Sequence, residues 1–325
     1  MKLVFFGTSD FAIPSLKALI ASRHKVLALM TQPDRKKGRS LKLSPPPAKV
    51  IAQENNIPVY QPQDASSRES VEYLKKLGAD LFVVISFGQI LKKEVLSIPK
   101  YYSINLHGSL LPKCRGAAPT NWAVINGEKA SGVTIIKMNE RMDEGDIITK
   151  REVEIEPVDT NITLSEKLSD AGAALLVETL GLVEAGKAQL TKQDDSAATY
   201  APKLKKEDGI INWSEPAIKI HDKVRGLLPW PGAYTYYDGK ILKLLQTKLD
   251  DKVIHNNRAP LRVPYNILQD PGEVLYIGKE GISVQTGSGD LVIEYLQLEG
   301  KKEMDAASFV RGHRLETGYK FENKK

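Results

Sequence analysis

In the first half of the chain, strand-length runs at residues 3–6, 25–30, 81–86, 103–106 and 133–138 alternate with helical stretches, and several of these runs are apolar without a break. A strand with one wet face alternates apolar and polar residues, whereas a strand covered on both faces does not. Helical spacing falls between the runs, at 13–22 (with Pro14 near its start), 48–55, 68–77, 120–125 and 164–184. Buried strands separated by helices predict an α/β fold, a Rossmann-like doubly wound sheet with parallel strands. The first turn reads Gly7-Thr8-Ser9-Asp10-Phe11 and lacks G-x-G-x-x-G, which argues against a nicotinamide or flavin dinucleotide.

The texture changes after residue 189. Residues 193–208 are polar and without period, as in an inter-domain linker. Beyond a helical stretch at 217–228 come short strand candidates at 233–237, 241–247, 272–277, 282–286 and 291–298, with an Asp238-Gly239 hairpin turn. Five or so antiparallel strands predict a small barrel of OB-like form. The expected organisation is therefore an α/β domain at 1–189, a linker at 190–203 and a β-barrel domain at 204–325. Residues 251–268 read as a surface loop.

With 325 residues, 42% hydrophobic and 26% charged, the chain is long enough for two cores and ordinary for a globular protein. No apolar run reaches the length of a membrane span. Met1 leads directly into the first strand, so no signal segment is expected. The single cysteine, Cys114, excludes an intrachain disulfide and a multi-Cys zinc site. The expectation is a cytoplasmic protein.

The net charge of +6 is concentrated in one place. Between Gln32 and Val50 lie Arg35, Lys36, Lys37, Arg39, Lys42 and Lys49 against one acid, Asp34. Pro33, Gly38 and Pro45 to Pro47 share the stretch, which predicts a mostly irregular loop. Such a loop either grips phosphates or is merely a solvated lysine-rich turn.

The segment Ser103-Ile104-Asn105-Leu106-His107-Gly108 ends a strand, and open α/β sheets bind ligands at strand ends. Residues two apart share a face, so Asn105 and His107 project together. An amide donor beside an imidazole suits acyl transfer, one steadying an oxyanion and the other moving a proton. By itself N-x-H reads sooner as a polar strand terminus with a hydrogen-bonded histidine, and the residues that follow it reverse that reading. His24, His221, His255 and His313 have no comparable setting.

Asn105-Leu106-His107-Gly108-Ser109-Leu110-Leu111-Pro112, followed by Arg115-Gly116-Ala117-Ala118-Pro119, resembles the core signature of the folate-dependent formyltransferases. Met142-Asp143-Glu144-Gly145-Asp146-Ile147 is similar to that family's aspartate loop. The stretch from Thr31-Gln32-Pro33-Asp34-Arg35 to Ser44-Pro45 resembles the tRNA-facing insertion of the family's methionyl-tRNA branch. Tyr200-Ala201-Pro202-Lys203, Trp213 and Pro229-Trp230-Pro231-Gly232 resemble the same branch's linker and C-terminal domain. The likeness is collinear from Phe6 to about Arg314. Cys114 stands where an aromatic residue is expected, Ser9 where proline is usual and Ser40 where glycine is common.

The resemblance implies transfer of the formyl group of 10-formyltetrahydrofolate to the α-amino group of methionyl initiator tRNA, at the start of protein synthesis. It implies Asn105 as oxyanion donor, His107 as proton carrier and Asp143 as its orienter, although Asp143 alone also reads as a turn carboxylate. It places Ser109, Leu110, Leu111 and Pro112 against tetrahydrofolate, with Ser86, Phe87, Gly88 and Gly145 around the pterin. It turns Arg35, Lys36, Lys37, Arg39 and Lys42 toward tRNA. Arg115 meets a carboxylate or phosphate, or forms an internal salt bridge. The leaving group is activated by protonation, so no metal is expected. Two alternatives stand beside this reading. One is a related formyltransferase or hydrolase acting on a small molecule, such as a sugar nucleotide or purine precursor. The other is a non-catalytic RNA-binding protein.

Overall fold

The computed structural model describes residues 1–37, 42–249 and 270–322. The chain divides into two compact units: Met1–Thr120 with Lys129–Ile155 and Thr163–Pro202, and Asn121–Glu128 with Glu156–Ile162 and Lys203–Lys325.

The first unit is built on seven strands, β1 (Lys2–Gly7), β2 (Lys25–Met30), β5 (Val59–Tyr60), β6 (Leu81–Ile85), β7 (Ser103–His107), β8 (Ala130–Lys137) and β9 (Asp146–Glu154), in the order β5-β2-β1-β6-β7-β8-β9. A small separate hairpin is formed by β3 (Arg35–Lys37) and β4 (Lys42–Ser44). The helices are α1 (Ile13–Ala21), α2 (Pro47–Glu54), α3 (Arg68–Leu77), α4 (Lys93–Leu96), α5 (Pro119–Ile125) and α6 (Asn161–Glu184), the last two shared with the second unit. Helix α3 shows why such segments are helical. Ser67 caps it by accepting from the Ser70 N–H, Lys75 and Lys76 sit in its last turn, and Gly78 (φ 58°) ends it in the left-handed region.

Strands β1, β2, β5, β6 and β7 pair in parallel, as the unbroken apolar runs predict. The sheet is mixed, however, because β8 runs antiparallel to both β7 and β9. The parallel expectation is therefore met from β5 through β7 and not by β8. An apolar run reports burial on both faces and not direction, and β8 is buried along nearly its whole length. The direction in which the sheet grows reverses at β1, between β2 and β6. That switch opens a crevice beyond the strand ends.

The core on one sheet face centres on Phe6, whose ring lies 5.2 Å from Phe82 and 5.3 Å, edge-on, from Phe87. Val4, Met30, Leu74, Val84 and Val95 complete it. Truncating a fully buried phenylalanine such as Phe6 typically costs about 3–5 kcal/mol. Helix α6 approaches the sheet through Gly172, where a Cβ would come within 2.6 Å of Leu106 Cδ2.

The basic stretch is more ordered than its prolines suggest. Strands β3 and β4 pair antiparallel, Arg35 opposite Ser44 and Lys37 opposite Lys42, which corrects the expectation of a mostly irregular loop. Pro33 and Pro45 to Pro47 flank the hairpin instead of interrupting its ladder.

The second unit carries α7 (Ala217–Gly226), β10 (Ala233–Tyr237), β11 (Lys240–Leu249), β12 (Val274–Gly278), β13 (Gly281–Gln285), β14 (Asp290–Leu298), β15 (Met304–Asp305) and α8 (Ala306–Gly312). Its antiparallel sheet runs β10-β11-β14-β13-β12, with β15 added on β14. Trp213 is fully buried here, donating to Thr235 Oγ1 at 3.1 Å and stacking on Phe321. Among the described residues β10 and β12 are not paired, so the barrel expectation is met as far as a β-rich C-terminal unit. The 251–268 loop lies outside the described residues.

Candidate active site

Asn105 and His107 stand at the C-terminal end of β7, held on one side by β6 (Val84 opposite Asn105) and on the other by β8 (His107 opposite Thr134). Asp143 arrives from the β8–β9 connection. Its Oδ1 lies 3.4 Å from Asn105 Nδ2 and 3.5 Å from His107 Nδ1. Its Oδ2 accepts the Gly116 N–H at 2.9 Å. The three residues named from sequence therefore converge on one carboxylate, although Asp143 is far from the other two in sequence.

The imidazole is nearly buried, at 6% exposure, and its Nε2 lies 2.9 Å from the Cys114 carbonyl oxygen. A carbonyl can only accept, so Nε2 carries a proton and Nδ1 is the nitrogen turned toward Asp143. The short orienting bond thus comes from the Cys114 backbone, and Asp143 is the more distant partner. A neutral ring has a lone pair at Nδ1. A protonated ring places its second N–H against the Asp143 carboxylate. Two unit charges 3.5 Å apart attract by about 5 kcal/mol at an effective dielectric of 20.

The turn after β7 folds back on β8 and on residues 193–201. Thr134 Oγ1 donates to the Ser109 carbonyl at 2.7 Å and accepts the Leu111 N–H at 3.1 Å. The Cys114 N–H donates to Thr199 Oγ1 at 2.8 Å, the Arg115 N–H donates to the Thr199 carbonyl, and the Arg115 carbonyl accepts the Ala201 N–H. Ser109 and Leu111 are consequently buried, while Leu110 and Pro112 stay half-exposed. Three non-glycine residues around the site adopt left-handed backbone: Ser86 (φ 48°), Cys114 (φ 56°) and Asp143 (φ 58°). Such conformations cost on the order of 1 kcal/mol or more and persist where the surroundings over-determine them.

Ser86 and Gly88 are exposed at the end of β6, whereas the Phe87 side chain belongs to the hydrophobic core. A Cβ added at Gly88 (φ 85°) would meet the Gln32 side chain at ordinary contact distance, 3.8 Å. The Gln32 Nε2 atom is buried and has no hydrogen-bond partner among the described residues. An amide donor without a partner among the described residues, beside the exposed Gly88 backbone at the switch point, fits a ligand with carbonyl or ring-nitrogen acceptors. Gly145 has a different role. A Cβ there would lie 1.9 Å from the Lys137 carbonyl oxygen, so its close approach is to the chain's own backbone.

Of the basic residues, Arg35 and Lys36 are exposed on β3. Arg35 donates to Gln32 Oε1 at 3.1 Å. The side chains of Lys37 and Lys42, and all of Arg39, lie outside the described residues. Lys49 is paired with Asp34 at 2.8 Å, and Gln61 donates to the same carboxylate at 2.8 Å. That amide bond first, and then Lys49, hold the Asp34 carboxyl below its ordinary value. Arg115 is buried in an internal network, one of the two roles open to it from sequence.

Composition and motif spacing do not single out Gln193 or the Cys114 carbonyl. Gln193 Nε2 donates to the carbonyls of Asp143 and Gly145, at 2.8 Å and 2.7 Å. A backbone carbonyl leaves no mark on sequence, and a lone glutamine in a polar stretch carries no pattern.

The formyl transferase family profile matches residues 1–180, and its C-terminal domain profile matches 203–314. A methionyl-tRNA formyltransferase of Geobacter sulfurreducens is 46% identical over 318 residues, covering 98% of this chain and 96% of the relative. One from Moorella thermoacetica is 44% identical, covering 98% of each chain. Among solved structures, the N-formyltransferase of Helicobacter canadensis, in complex with folinic acid and dTDP-3-aminofucose, shares the fold with a TM-score of 0.65 at 20% identity, covering 90% of this chain and 98% of that one.

Proposed function

The chain belongs to the formyl transferase family, in its methionyl-tRNA branch, and on that premise we propose that it moves the formyl group of 10-formyltetrahydrofolate to the α-amino group of methionyl initiator tRNA. The observation that carries the chemistry is the convergence of Asn105 Nδ2 and His107 Nδ1 on Asp143 Oδ1 at the end of β7.

The acceptor amine attacks the formyl carbon, and the carbonyl oxygen gathers negative charge. Asn105 donates its side-chain N–H to that oxygen, a kind of contact worth about 2.7–4 kcal/mol in the barrier. Once bonded to carbon, the amine must lose a proton, and Nδ1 of His107 takes it because Nε2 is already committed to Cys114. The resulting imidazolium has an acceptor for each N–H, the Cys114 carbonyl and Asp143 Oδ1. The same proton then passes to N10 as the C–N10 bond breaks, leaving a formamide and tetrahydrofolate.

The turn at Ser109 to Pro112, the backbone of Ser86 to Gly88 and the loop around Gly145 hold the folate in this reading. The folinic acid named for the Helicobacter canadensis relative supports a folate ligand for the shared fold. Residues 1–189 form the catalytic part. The β3–β4 hairpin, with Arg35, Lys36, Lys37, Arg39 and Lys42, and the OB-like C-terminal part at 204–325 grip tRNA. The place of work is the cytoplasm, where charged tRNA is made and used. The full chain, given 10-formyltetrahydrofolate, should formylate methionyl initiator tRNA and leave an amino-sugar nucleotide untouched. The reverse preference overturns the assignment of acceptor.

A further inference from the structure

We propose that Gln193 is a positioning residue for the reaction, holding the Asp143 loop in register with His107 through an amide clamp that Arg115 orients. The proposal rests on the reading of Asp143 given above. Its own ground is the geometry of a segment whose composition marks it only as polar connection.

The loop that carries Asp143 is pinned from two sides. On one side Gly145 lies so close to the end of β8 that a Cβ would be 1.9 Å from the Lys137 carbonyl oxygen. On the other side one group, Gln193 Nε2, spends both of its protons on this loop, donating to the Asp143 carbonyl at 2.8 Å and to the Gly145 carbonyl at 2.7 Å. These two bonds hold the backbone at, and two residues beyond, the residue whose carboxylate must meet the imidazole. They also brace Asp143 in its left-handed conformation at φ 58°.

Arg115 decides which way the amide faces. Its Nε and one terminal nitrogen reach Gln193 Oε1 at 3.1 Å and 2.8 Å. A guanidinium has donors only, so the atom it meets is the oxygen and the amide nitrogen must face the loop. Arg115 is itself buried, at 3% exposure, and is charge-balanced by Asp195 at 2.8 Å and Glu144 at 3.9 Å. The residue after it, Gly116, gives its N–H to Asp143 Oδ2 at 2.9 Å. The 115–116 segment therefore addresses Asp143 directly through backbone and indirectly through Gln193.

A buried, fully satisfied network of this kind fixes one arrangement, because any other leaves donors or acceptors unpaired. A misplacement of about 1 Å at a catalytic group can cost on the order of a hundredfold in rate. Gln193 has the geometry to prevent that without touching substrate.

The test uses the full-length enzyme and two variants. Gln193→Glu keeps an oxygen for Arg115 but turns a second acceptor toward the two loop carbonyls, and Gln193→Leu removes both functions. Each should lower kcat by about tenfold or more while KM for methionyl-tRNA moves by less than about threefold, since the change touches neither substrate. In an Asp143→Asn background the same changes should cost less than about twofold, because a clamp on a disabled carboxylate has little left to position. A merely structural glutamine predicts losses that multiply in the double variants. Wild-type kcat in both single variants, or full additivity with Asp143→Asn, overturns the proposal. Failure of both variants to fold overturns it as well, since the role is then stability. If Asp143→Asn alone leaves kcat intact, the reading of Asp143 fails instead, and the two failures stay distinct.

Discussion

Replacing Asp143 with asparagine keeps the size of the side chain and removes its charge, so its effect can be worked out from three distances. Oδ2 accepts the Gly116 N–H at 2.9 Å, and Oδ1 faces Asn105 Nδ2 at 3.4 Å and His107 Nδ1 at 3.5 Å. With His107 neutral, the new amide has a single oxygen to share between two donors, the Gly116 N–H and Asn105 Nδ2. Whichever way it turns, a donor meets a donor, and about 1 kcal/mol of hydrogen bonding is lost in every state of the enzyme. The charge matters only when His107 holds its second proton. At 3.5 Å and an effective dielectric of 20 that attraction is about 5 kcal/mol, a ceiling reached if the imidazolium is fully formed in the transition state. The loss therefore falls mainly on kcat, by roughly three and a half orders of magnitude at the ceiling, with KM for either substrate little changed. Single-turnover formyl transfer to charged tRNA, at saturating folate, reads this directly, and a thermal melt checks the fold. A rate within about threefold of wild type in a normally folded Asp143→Asn protein refutes the ion-pair argument.

Two further outcomes are expected. Replacing exposed Arg35 and Lys36 together with alanine should raise KM for methionyl-tRNA and flatten the salt dependence of tRNA binding by about two phosphate contacts, with folate affinity unchanged; an unaltered salt slope removes the hairpin from tRNA recognition. Burial first, and then the neighbouring Arg225, hold the His221 imidazole below its ordinary value of 6.5, so the folded chain resists a proton that the unfolded chain accepts. The stability this contributes is complete above about pH 6.5 and is lost as pH falls through the folded-state value. Melting temperatures measured from about pH 7.5 down to about 5.5 should accordingly drop less in His221→Gln, whose amide still reaches Thr247, than in the wild type; equal slopes contradict it.

The parallel part of the sheet was legible because β1, β2 and β6 are apolar or nearly so, and burial on both faces leaves a mark on composition. Strand β9 was not, because its second half carries Lys150, Arg151, Glu152 and Glu154 and looks like loop. Direction was invisible too, since β8 would carry the same buried run either way round. In the site, Asn105 and His107 announced themselves by their i, i+2 spacing at a strand end. Asp143 could be joined to them only through family resemblance, because the β8–β9 turn that delivers it is a tertiary fact. Gln193 and the Cys114 carbonyl act through hydrogen-bond geometry that has no period and no required residue type, and only the folded chain displays it.

The central claim is that His107, held at Nε2 by the Cys114 carbonyl, exchanges the reaction's proton through Nδ1. It is tested most directly by single-turnover formyl transfer in His107→Ala, with methionyl initiator tRNA and 10-formyltetrahydrofolate both saturating and at a pH where the acceptor amine is largely neutral. The account predicts a rate constant lower by at least about a hundredfold, with folate affinity and melting temperature close to wild type. A rate constant equal to that of the wild type under those conditions contradicts it.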